Sequence, residues 1–88
     1  MPTGAVEVTE EQQIALEQRY GVGGYEVTRR YELDGGDVVL VVRFTRPVWG
    51  YSVLVGNDDD LERVGGTATE WSARWIASNY APEARPAS

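Results

Sequence analysis

The chain has 88 residues, 14 of them acidic and 8 basic, for a net charge of −6, and it contains neither cysteine nor histidine. That length suits one small domain. The missing residue types exclude disulfides, Cys/His zinc sites, cysteine nucleophiles, histidine acid–base catalysis and a Ser-His-Asp triad.

The first residues, Met1-Pro2-Thr3-Gly4, lack the basic and apolar regions of a secretory signal, and no apolar run reaches membrane-spanning length. The expectation is a soluble cytoplasmic chain with a flexible N-terminal arm over 1–8. Thr9-Glu10-Glu11-Gln12 then has the form of a capping box, so a helix starts there, with Arg19 in its last turn and Gly21 as its stop. Ile14, Leu16 and Tyr20 do not form a clean apolar stripe on it. Gly21-Val22-Gly23-Gly24 follows a helix and precedes a strand, the reverse of a phosphate-binding loop, and reads as a connection.

Asp34-Gly35-Gly36-Asp37 separates two alternating runs, Tyr25 to Leu33 and Val38 to Arg46, and reads as a hairpin turn. Placing Leu33 opposite Val38 aligns Tyr31 with Leu40, Arg29 with Val42 and Val27 with Phe44 on one inner face. A second turn at Pro47-Val48-Trp49-Gly50, with Arg46 opposite Tyr51, brings Val53 and Val55 onto that same face. Arg29 is the one charge there and is expected to reach out over the sheet edge or to hold an anion.

Leu61-Glu62-Arg63-Val64 is long enough for a short fourth strand, ended by Gly65-Gly66. Thr67-Ala68-Thr69-Glu70 is a second capping box opening a helix whose Ala68, Trp71, Trp75, Ile76 and Tyr80 are expected to face the sheet, with Glu70 and Arg74 paired along its outside. The last eight residues hold two prolines and nothing large to bury, which predicts a disordered tail over 81–88. The reading is therefore an α+β domain over 9–80, ordered α-β-β-β-(β)-α. Its antiparallel meander of three to four strands forms a two-layer sandwich with both helices on one face.

Such an arrangement leaves the other sheet face bare. Val39, Val41 and Leu54 then form an apolar strip bordered by Arg30, Arg43, Glu26 and Glu32, while Trp49 at the hairpin tip either folds inward or projects as an anchor. Arg30, Val39, Val41, Arg43, Leu54 and Trp49 are the candidate partner-binding residues. Asp58-Asp59-Asp60 lacks the alternating ligands and glycine of a calcium loop, so no metal or cofactor is expected.

The order helix, three strands, helix resembles that of double-stranded-RNA-binding domains, but the lysine-rich start of their last helix is here Thr67-Ala68-Thr69-Glu70, and the chain has no lysine. Nucleic-acid binding would also oppose the net charge. The sequence thus favours a non-catalytic domain, accessory or regulatory, that binds a protein partner or a second copy through the bare sheet face. An acidic mimic of nucleic acid or a weak nucleic-acid binder comes second, and an enzyme built on carboxylates third.

Overall fold

A computed structural model describes residues 6–45, 48–57 and 60–87. Helix α1 (Glu10–Tyr20) begins as the sequence predicts: the Thr9 hydroxyl accepts from the Gln12 amide at 3.1 Å, and the Gln12 side chain accepts from the Thr9 amide at 3.0 Å. The helix ends at Gly21, whose φ of 83° lies in the region open to glycine. Strands β1 (Tyr25–Glu32), β2 (Val38–Phe44), β3 (Gly50–Asn57) and β4 (Asp60–Thr67) follow, then helix α2 (Glu70–Ala77) and a 3-10 turn, Pro82–Ala84. The strands form one antiparallel sheet in sequence order. This is the expected α+β fold, an antiparallel meander with a helix before and a helix after.

The helices do not share a face. Alternate side chains of β2 enter two separate cores. Val39 and Val41 meet Ala73 and Ala77 of α2, whereas Val38, Leu40 and Val42 pack with Leu16 of α1. Each helix makes its own helix-on-sheet layer, one on either side. The cause is legible in β2 itself. Residues 38–42 read Val-Val-Leu-Val-Val, a continuous apolar run, and a strand of that kind must be covered from both sides to leave water entirely.

Both hairpins take a register other than the expected one. In the first, Glu32 rather than Leu33 stands opposite Val38, and the Leu33 amide donates to the Asp37 carbonyl at 2.8 Å. Gly35 and Gly36, with φ of 89° and 92°, close the chain in a three-residue loop where a four-residue loop was expected. A bulge between Val27 and Arg29 then inserts one residue into β1. As a result Tyr31 packs on the α2 side, while Val27 and Tyr25, the same parity in sequence, pack on the α1 side. One alternating run thereby serves two cores.

In the second hairpin Phe44 faces Gly50, Val41 faces Val53 and Leu40 faces Leu54. The Phe44 ring occupies the space above Gly50, where a Cβ would stand 3.1 Å from the ring, so the absent side chain admits the aromatic. Arg46 and Pro47, part of the predicted turn, lie outside the described residues. This register puts Leu54 on the α1 side and away from Val39 and Val41.

Strand β4 is longer than expected and contains Gly65 and Gly66 instead of stopping at them. A Cβ on Gly65 would lie 3.0 Å from Ile76, and one on Gly66 would meet the Arg63 guanidinium, so both glycines mark close approach and not a turn. Helix α2 starts later than predicted. Its cap is Thr69, whose hydroxyl accepts from the Ser72 amide at 3.1 Å.

The segments expected to be loose are docked where they are described. Val6 and Val8 of the predicted flexible arm pack against the α1-side core. Of the predicted disordered tail, Ala81, Ala84 and Pro86 are buried, and the Arg74 Nε donates to the Ala84 carbonyl at 3.2 Å. Small side chains suffice for this because the α2-side core is itself built from alanines.

Candidate functional site

The predicted site does not assemble. Val39, Val41 and Leu54 are fully buried, the first two under α2 and the third on the α1 side. The bare sheet face expected from the sequence is therefore absent, because each face carries a helix. Arg30 is mostly covered and pairs through Nη1 with Glu32 at 2.9 Å, and its Nε is buried with no hydrogen-bond partner among the described residues. Arg43 remains exposed and stands 4.0 Å from Glu26. Trp49 projects, with 64% of its surface exposed beside an equally open Val48. Of the six candidates, only Arg43 and Trp49 are freely accessible.

Sequence reasoning assigned Trp71, Trp75 and Tyr80 to the core, and the structure places them outside. Trp71 is 61% exposed, Tyr80 43% and Trp75 37%. The core side of α2 consists instead of Ala73 and Ala77, flanked by Ile76 and continued by Ala81 and Ala84. At about 100° per residue the Trp71–Trp75 pair points some 160° away from the Ala73–Ala77 pair. Alanines spaced by four, at 73, 77 and 81, are the sequence signal that identifies the inner side, since small residues let a helix lie close on a sheet.

On the outer side Trp71 and Trp75 meet edge to face, with ring centroids 5.9 Å apart at 73°. The Arg85 guanidinium lies 5.2 Å over the Trp75 ring, tying the final segment to the helix. Glu70 turns from the predicted Arg74 to Arg29, whose Nε it accepts at 3.0 Å. That hydrogen bond, more than any other influence, holds the Arg29 guanidinium above its ordinary pKa. Arg29 thus neither snorkels alone nor stands free for an anion.

The charges are segregated. Arg19 donates to the Leu61 carbonyl at 3.2 Å and Arg63 to the Ser52 hydroxyl at 3.1 Å. With the contacts above, every arginine among the described residues is engaged within the chain. Of the acids at the β1–β2 turn end, only Glu32 has an arginine partner among the described residues, Arg30. Two depressions of about 370 and 360 Å³ share Tyr80 on their walls, one with Asp37, Asp60 and Glu62, the other with Glu32, Asp34 and Glu83. No arginine lines either one.

Among the described residues no group of three or more acidic side chains is placed to hold one metal ion. Asp58 and Asp59 of the acidic run lie outside those residues. No helix among them is long and apolar enough to cross a membrane. No known protein family, no curated protein and no solved structure matches the chain.

Proposed function

We propose that this chain is a small non-catalytic protein-interaction domain whose binding surface is the outward side of α2, with Trp71 and Trp75 as its anchors. A single observation carries the reading: α2 gives its alanines to the sheet and its two tryptophans to water. Burying Trp71 and Trp75 against the sheet would be the more favourable use of two such rings in an isolated monomer. Aromatic side chains held at a surface are also the commonest residues to dominate binding energy when a partner covers them. Their mutual edge contact and the Arg85 stack hold them in place, which reduces the ordering cost of association. Trp49 and Val48 add a further exposed apolar point in the β2–β3 loop.

The test is a paired affinity capture from the native cell extract with the parent chain and the Trp71→Ser/Trp75→Ser variant, accompanied by sedimentation of both over a range of concentrations. The variant gives up the ring pair, about 0.5–1.5 kcal/mol, and the Arg85 stack, about 0.5–1 kcal/mol, and its circular dichroism is expected to stay that of the parent. It loses either a captured partner or the self-association of the parent. Identical capture and identical sedimentation of the two folded proteins would refute the reading.

The acidic end favours a second reading, a surface that imitates nucleic acid toward a basic protein. Five carboxylates around Tyr80, those of Asp34, Asp37, Asp60, Glu62 and Glu83, lie beside the Arg30-paired Glu32 and would attract such a partner and speed its encounter. Retention on an immobilised basic protein is expected to fall in salt, and Asp34→Asn/Asp37→Asn/Glu62→Gln is expected to elute earlier than Glu7→Gln/Glu10→Gln/Glu11→Gln. Equal elution of the two triple variants would reduce the effect to net charge alone and remove this reading.

A further inference from the structure

We draw no further inference here: the strongest candidate, the cleft of about 350 Å³ between α1 and β4 with Arg19 at its rim, carries nothing because its floor residues Leu16 and Leu54 are sealed, Arg19 already donates to the Leu61 carbonyl, and nothing in the structure shows what covers it.

Discussion

The two sides of the sheet solve the same packing problem in opposite ways. On the α1 side the helix contributes bulk: Leu16 descends among Val38, Leu40, Val42 and Leu54, and Tyr20 stacks on Phe44 with centroids 5.5 Å apart and planes 9° from parallel. On the α2 side the sheet valines press against alanines, and the bulk that the helix adds is that of Ile76 at the flank, over Gly65. The first arrangement uses Leu16 and Tyr20 on the sheet side, leaving an exterior of Glu10, Glu11 and Gln13 with Ile14 half exposed among them. The second turns both tryptophans of its helix outside and keeps Ile76 as its one large residue against the sheet. Burial is achieved on both sides, but α2 leaves two tryptophan rings exposed where α1 leaves none.

This contrast can be broken most severely at Leu16. Leu16→Ala removes the one large apolar side chain that α1 buries completely, and the expected loss is about 2–5 kcal/mol, read as a lower urea midpoint with an unchanged slope. The reciprocal change on the other side is Ala77→Leu, which inserts bulk where the sheet leaves no room. Its cost is expected at about 1–3 kcal/mol by the same measurement, with a shift in tryptophan fluorescence as α2 is pushed outward. A stabilising Ala77→Leu would show that α2 does not lie close on the sheet.

The caps come next in size. Thr9→Ala removes the acceptor of the Gln12 amide and Thr69→Ala that of the Ser72 amide, each with an expected loss of about 1 kcal/mol, while the Thr9 backbone amide keeps its bond to the Gln12 side chain. An unchanged thermal midpoint in either variant would show that its hydroxyl cap contributes nothing.

The smallest effect is a pH dependence confined to the α1 side. Burial, and secondarily the carboxylate of Glu17, raises the Tyr25 phenol above its ordinary pKa of 10.0. The folded chain therefore holds that proton more tightly than the unfolded one. Stability from this source is complete below pH 10 and declines as the pH rises from there through the folded pKa. Urea midpoints measured from pH 8 to 11 should fall less steeply in Tyr25→Phe than in the parent, and parallel curves would exclude the effect.

Local signals in this chain were legible because their physics is local. The capping box at Thr9, the glycine stop at Gly21, the turn at Asp34–Asp37 and the antiparallel meander all depend on residues close in sequence. Register was less accessible. A two-glycine loop one residue shorter than expected, a bulge beside Val27 and the fit of Phe44 over Gly50 moved the pairing, and each is decided by contacts between strands. Alternation suggested a bare side, yet the continuous Val-Val-Leu-Val-Val of β2 was the better guide, since it requires two covers.

By itself, then, the sequence determined the kinds of elements, their order and the absence of thiol and imidazole chemistry, all of which follow from residue identity and short-range geometry. Only the tertiary structure decided that the helices lie on opposite faces, that Val39, Val41 and Leu54 are sealed, and that Trp71 and Trp75 face outward. An amphipathic helix with apolar residues on two sides can be docked by either one. The choice belongs to the space available against the sheet, and here that space admits alanine.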